Sequence, residues 1–307
     1  MSVLVVRYRD GIFKARVLAN RGNLPHIEVP MVLRAREHEF HFPRPAMIMG
    51  ILNVTPDSFF DGGRYCEVET AIGHAREMIA EGAEIIDVGG ESTRPFATPV
   101  SEEEELRRVL PVIETLAQNP RVVISIDTQK TSVARAAINA GAAMINDVGA
   151  SRAGDGMRRL VAESGAAYVA MHSQGTPRTM QVNPIYEDVV EAVAQFFREA
   201  GRQLEEAGVR REQVVFDPGI GFGKTAVHNL ELIAHLKDFR TFERPLLLGV
   251  SRKSFLGEGI QDRLPGALAC ACWGVAAAVI HIVRAHDVAA SRRAIRMTEA
   301  LMAHQRK

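Results

Sequence analysis

The order of apolar and polar positions changes character at residue 46. From there, apolar runs of strand length recur at 46–52, 83–88, 122–126, 143–146, 166–171, 213–216, 246–250 and 279–283. Between them lie stretches such as VETAIGHAREMIAEG and YEDVVEAVAQFFREAGRQLEEAG, in which apolar residues return every three or four positions, as on one face of a helix. SEEEELRRVLPVIETLAQ opens with Ser101 and carries Glu104 three residues on. That spacing predicts a capping box, and the acidic run reads as carboxylates favoured by the helix dipole. Continuous apolar strands alternating with helices imply a parallel sheet covered on both faces. Eight such units, on average roughly 33 residues apart, predict closure into a (β/α)8 TIM barrel, with an open doubly wound sheet as the alternative.

Residues 1–45 follow another pattern. Short β-like runs, SVLVV and HIEVPMVL, are mixed with charges and end at Pro43 and Pro45. They predict a short N-terminal β-rich extension, a hairpin or cap, ahead of a barrel domain spanning 46–307. Two roles suit it, a lid over the bottom of the barrel or a contact for a partner.

Composition narrows the class. Lys and Arg number 37, as do Asp and Glu, so no bulk field attracts nucleic acid or an acidic membrane, and any anion site must be local. Cys66, Cys270 and Cys272 form no C-x-x-C pair and argue against a disulfide framework or zinc site, which makes a reducing cytoplasm the expected home. The N-terminus lacks the long apolar core of a signal peptide. The most apolar stretch, 267–283, is short for a bilayer span and contains His281.

Each apolar run ends in polar groups. In order these are Asn53, Asp87 with Glu91, Asp127, Asn146 with Asp147, His172, Asp217, Ser251 with Arg252 and Lys253, and Arg284 with His286. In a barrel all eight strand ends share one rim, where such folds keep their chemistry. One such residue alone is as well explained by helix capping. Asp127, Asn146, Asp217 and Lys253 suit a flat heterocycle with adjacent N–H donors and a carbonyl, because a carboxylate accepts parallel hydrogen bonds. Asn53, Arg284 and His286 suit an anion such as phosphate, and Asn53 offers a hard oxygen to Mg2+. Two loops rich in Gly, Pro, Ser and Asp, NVTPDSFFDGGRY (53–65) and GGESTRP (89–95), are long enough to close over a substrate.

FDPGIGFGKT (216–225) has the look of a phosphate loop, but Pro218 stands where the P-loop pattern needs its first glycine, and no third glycine completes a dinucleotide fingerprint. Its glycines read instead as tight backbone turning beside Asp217.

The strings MGILNVTPDSFFDGG, GAEIIDVGGESTRP, SIDTQK, INDV, MHSQGTPRTMQ, FDPGIGFGKT, LLLGVSRKSFLG and RAHDV occur in the order found in dihydropteroate synthases, and residues 46–303 resemble that family. The resemblance implies a pterin-binding (β/α)8 barrel that joins 6-hydroxymethyl-7,8-dihydropterin pyrophosphate to 4-aminobenzoate and releases pyrophosphate on the way to folate. It also implies inhibition by sulfonamides, which mimic the aminobenzoate, and a homodimer formed through the last helices. By the same resemblance, Asp127, Asn146, Met171, Asp217 and Lys253 hold the pterin, and Asp127, Asp217 and Lys253 are the catalytic candidates. Asn53, Arg284 and His286 hold pyrophosphate, and Asn53 and Asp61 lie near Mg2+. Phe59, Thr93, Arg94, Pro95, Phe222, Lys253 and Ser254 surround the aminobenzoate. Phe60, Phe96 and Ala285 depart from the family's usual residues, and the two phenylalanines bear on sulfonamide sensitivity more than on activity. The competing readings are a related methyltransferase that takes a methyl group from a reduced folate and a pseudoenzyme that only binds pterins.

Overall fold

The computed structural model describes residues 3–8, 11–16, 18–20, 23–26, 30–55, 64–92, 99–150, 154–175, 180 and 184–305. Eight parallel strands close into a barrel: β7 (Met47–Asn53), β8 (Ile85–Gly89), β9 (Val123–Asp127), β10 (Met144–Asp147), β11 (Ala167–Met171), β12 (Val214–Asp217), β13 (Leu246–Leu248) and β14 (Ile280–Ala285). The ring closes where β14 pairs with β7. Eight helices complete the units: α1 (Arg64–Ala80), α2 (Glu102–Leu116), α3 (Thr131–Asn139), α4 (Asp155–Ser164), α5 (Val189–Glu206), α6 (Ala226–Ala234), α7 (Ile260–Ala276) and α8 (Val288–Gln305). The barrel expected from the eight apolar runs is the observed fold. β13 is shorter than its run, because its register against β14 shifts between Leu246 and Leu247 and Gly249 follows its end.

Period-two alternation sorts every strand into two faces. Met47, Ile85, Val123, Met144, Val215 and Ile282 belong to a cluster inside the barrel. Their neighbours Ile48, Ile86, Ile124, Ile145, Phe216 and Val283 pack outward against the helices. Two further residues along the inward register bring Asp87, Ser125, Asn146, Asp217 and Arg284 to the inside, and two more bring Asp127. The site is therefore the upper continuation of the interior core.

The N-terminal segment forms antiparallel pairs, β1 (Val3–Tyr8) with β2 (Gly11–Arg16), β3 (Leu18–Asn20) with β4 (Asn23–His26), and β5 (Met31–Ala35) with β6 (His38–Phe42). Leu33, Ala35 and Phe42 of the last hairpin enter the interior cluster. Arg36 donates its backbone N–H to Gly165 O at 3.0 Å, just before β11, and its Nη1 to Ile138 O at 2.9 Å, in the last turn of α3. Phe42 meets His281, near the start of β14, edge to face at 4.9 Å. The hairpin thus plugs the barrel at the strand starts, opposite the polar rim.

At α2 the capping box is half made. Ser101 Oγ accepts from Glu104 N at 3.2 Å, but the Glu104 carboxylate turns to Arg107 and Arg108. The acidic run also does more than favour the dipole. Glu105 is fully buried and accepts from Lys130 Nζ, which also holds Glu91 at 2.6 Å. Two guanidiniums outcompete the N-cap backbone N–H for the Glu104 carboxylate.

Candidate active site

Arg284 is the centre of the rim. Its Nε donates to Asp87 Oδ2 and its Nη2 to Asp127 Oδ2, each at 2.7 Å. Asn146 Nδ2 donates to the same Asp87 oxygen at 2.8 Å. One guanidinium thus ties together strands β8, β9 and β14, with β10 attached through Asn146. The amide nitrogen of Asn146 is committed downward, which leaves its oxygen as the atom offered to a ligand. Asp87 Oδ1, Asp127 Oδ1 and Ser125 Oγ are buried without a partner among the described residues. Buried acceptors in that state are costly and favour a ligand that brings donors.

Asp217 ends β12, and its Oδ1 accepts from Gly219 N at 2.7 Å. A Cβ added at Gly249 would lie 4.0 Å from Asp217 Oδ2 and 3.9 Å from Arg284 Cβ, so the two charged residues flank one small glycine. Lys253, after β13, sets its ammonium 3.9 Å from the centroid of the Phe222 ring, a cation–π contact. Phe222 in turn clusters with Met171, Val148 and Met180 into an apolar patch beside the acids. Acids, amide, cation and apolar wall therefore meet at one end of the barrel.

Burial governs the electrostatics. It pushes Asp127 up to about 7, with Arg284 opposing and the nearby Asp87, Glu105 and Asp147 adding to the rise. It pushes Asp217 up to about 6 against the Gly219 N–H and the charges of Lys253 and Arg284. It brings Lys253 down to about 8, with Arg284 acting the same way. Arg284, held by the two carboxylates, stays charged. Groups poised near neutrality around an unfilled hydrogen-bonding set are a mark of a working site.

Asn53, the last residue of β7, and His286, just past β14, are half-buried on the same rim. Ser251 Oγ lies 3.0 Å from His286 Nδ1 and accepts from His286 N at 3.2 Å, which fixes the ring. The expected separation into ring and anion groups is not absolute, because Arg284, read as an anion ligand, is bonded to the acids of the ring group. Ser254 sits exposed at the start of a short 3-10 turn. Phe59, Asp61, Thr93, Arg94 and Pro95, like Phe60 and Phe96, lie outside the described residues.

Asp87, placed on the rim by the sequence pattern but outside the expected ligand groups, is part of the site: Arg284 and Asn146 converge on one of its oxygens. The signal was available: Asp87 lies two residues beyond Ile85 on the inward face. Met180 carried no such signal, because it comes from a loop.

The chain matches the family model described as pterin binding enzyme over residues 49–286. It is 49% identical to the dihydropteroate synthase of Escherichia coli (strain K12) over 261 residues, which cover 83% of this chain and 91% of that one. The crystal structure of the Yersinia pestis dihydropteroate synthase with a sulfonamide drug superposes with a TM-score of 0.82 at 42% identity, covering 89% of this chain and 100% of that one. The Xanthomonas albilineans dihydropteroate synthase in complex with 7,8-dihydropteroate gives 0.79 at 39%, covering 89% and 99%. The chain belongs to the dihydropteroate synthase family of pterin-binding enzymes.

Proposed function

We propose that the chain condenses 6-hydroxymethyl-7,8-dihydropterin pyrophosphate with 4-aminobenzoate to give 7,8-dihydropteroate and pyrophosphate. The observation that carries this reading is the set of buried, partly unpartnered acids on one guanidinium, next to Lys253 and its aromatic platform.

In this reading the amino-pyrimidine edge of the ring donates to Asp217, the ring N–H groups answer the open oxygens of Asp127 and Asn146, and Met171 covers one face. Lys253 faces the ring carbonyl side and, through Phe222, the aminobenzoate. Arg284 and His286 attract the diphosphate. The bond from the methylene carbon to the diphosphate oxygen breaks and its electron pair leaves with pyrophosphate. The positive charge on the methylene spreads into the pterin ring, where Asp127 and Asp217 stabilise it. The aminobenzoate nitrogen then adds to the carbon and loses its proton. A weakly basic amine needs little general-base help. Water would capture the same cation, so the site must exclude it.

Among the described residues no cluster of three His, Cys, Asp or Glu side chains is placed to hold a metal. The amide oxygen of Asn53 at the rim, together with the Asp61 carboxylate, would hold a Mg2+, a cation that prefers hard oxygen donors. Bound there, the metal supplies charge neutralisation to the leaving pyrophosphate. A cytoplasmic homodimer belongs to the same proposal: no described helix is long and apolar enough to cross a membrane. Trp273, Met297 and Leu301 of α7 and α8 expose the apolar surface that pairing would cover.

The test is direct. Purified protein with Mg2+, the pterin pyrophosphate and labelled 4-aminobenzoate should form dihydropteroate with stoichiometric pyrophosphate. Tight pterin binding without product would reduce the chain to a pterin-binding pseudoenzyme.

A further inference from the structure

The loop between β12 and α6 contains a buried cation for which the proposed reaction has no use. Lys224 is 3% exposed, and its Nζ lies 2.9 Å from Gly219 O, 2.9 Å from His172 Nδ1, 3.1 Å from Phe222 O and 3.4 Å from His172 O. An ammonium has three donors, and these acceptors use all of them. His172 is enclosed by Phe196 and Tyr186, and burial together with the Lys224 charge brings it down to about 3, so its Nδ1 presents a lone pair. Burial lowers Lys224 as well, to about 7, with Asp217 opposing and Lys253 adding to the fall.

The atoms that Lys224 grips belong to the residues that shape the site. Gly219 gives its N–H to Asp217, and Phe222 carries the ring under Lys253. The loop has no other course. Gly219 has φ of 65°, and a Cβ there would come within 1.8 Å of His172 O. Gly221 N is tied to Asn229 Oδ1 at 2.7 Å, and Tyr186 Oη donates to Gly223 O at 2.9 Å. Three glycines allow the turn, and one ammonium at its centre draws the carbonyls inward.

We infer that Lys224, with His172 as its acceptor, is a positioning residue for the proposed reaction: by holding the Phe222 and Gly219 carbonyls it sets the Phe222 platform on which Lys253 and the aminobenzoate rest. Lys224 touches neither substrate. Its influence is therefore selective, strong on the ring-facing pocket and absent from the diphosphate side of the rim. The inference rests on the functional reading above, and the parent protein's own turnover tests that reading separately.

The experiment measures KM for each substrate, kcat, and inhibition by inorganic pyrophosphate in the parent, Lys224→Met, His172→Leu and His172→Gln. Lys224→Met should raise KM for 4-aminobenzoate about tenfold or more, the loss of roughly one charge-assisted hydrogen bond, and leave pyrophosphate inhibition unchanged. His172→Leu should act in the same direction, and His172→Gln, which restores an acceptor, should recover most of the loss. Parallel changes in every constant would reveal a merely structural lysine, and unchanged constants an inert one. Either overturns the inference. Should Lys224→Met fail to fold, the His172 pair decides: equal aminobenzoate KM values for Leu and Gln refute it. A parent without turnover refutes the function instead.

Discussion

At the closed end of the barrel the inward positions are Met47, Ile85, Val123, Met144, Val215 and Ile282, sealed by Leu33, Ala35 and Phe42 of the hairpin. At the open end, further along the same strands and on the same face, they are Asn53, Asp87, Asp127, Asn146, Asp217 and Arg284. Backbone and register carry over from one end to the other, and the side-chain chemistry changes. At the closed end these interior side chains are apolar and contribute stability by leaving water. At the open end the carboxylates of Asp87, Asp127 and Asp217 are buried too, and Asp87 Oδ1 and Asp127 Oδ1 go unanswered among the described residues. That arrangement costs folding free energy and has value only if a ligand answers it.

The sharpest break in this contrast is Arg284→Ala. The substitution removes the cation that serves both buried acids and, in the proposed reaction, attracts the leaving diphosphate. We expect kcat/KM to fall by about a thousandfold, in the range of a lost charge-stabilising group. Stability should also drop by about 3 kcal/mol, because Asp87 and Asp127 stay buried without their partner. Steady-state kinetics and urea denaturation check both. Normal stability with lost activity would mean that the guanidinium does not hold the acids in the way its two 2.7 Å bonds indicate.

Leu33→Ala tests the closed end. Leu33 is fully buried in the interior cluster, so truncation should cost about 2–4 kcal/mol through lost transfer energy and a residual cavity. Both KM values should stay at the parent's level, since the barrel strands lie between the plug and the site. A large KM change would show that the two ends are mechanically coupled.

This division was unevenly legible in the sequence. The barrel strands could be read because strands buried on both faces appear as unbroken apolar runs, and the rim followed from the polar residue that ends each run. The hairpin's packing could be read only in part: the β-like runs of residues 1–45 predict strands but leave a lid over the barrel bottom and a partner contact equally open. Asp87 shows the limit within the site. Spacing from Ile85 places it on the inward face, but its bonds to Arg284 and Asn146 cross the barrel interior, and nothing local to IIDVG names those partners. Lys224 is similar. The spacing of FDPGIGFGKT excludes a phosphate loop, but the partners of Lys224, His172 and two loop carbonyls, are brought together only by the fold. Glu105 looked like the rest of its acidic run, and only burial against Lys130 separates it.

Asp217→Asn separates the two ends by pH, with the smallest expected effect on stability. Burial raises the Asp217 carboxyl from 3.8 to about 6, so between those values the folded protein holds a proton that the unfolded chain has released. Stability from this group therefore falls as pH rises from 4 to 6, the reverse of the usual salt-bridged aspartate. Asparagine keeps an oxygen for the Gly219 N–H and carries no charge. The variant should match the parent near pH 4 and become more stable than it by about 2 kcal/mol at pH 7, while losing turnover at both. Paired denaturation curves at the two pH values read the difference directly. A variant less stable than the parent at pH 7 would mean that the Asp217 charge is already satisfied in the free protein, by Lys253 and Arg284 together. The open end would then be balanced without its substrate, and its unanswered oxygens would not be the feature that sets it apart from the plug.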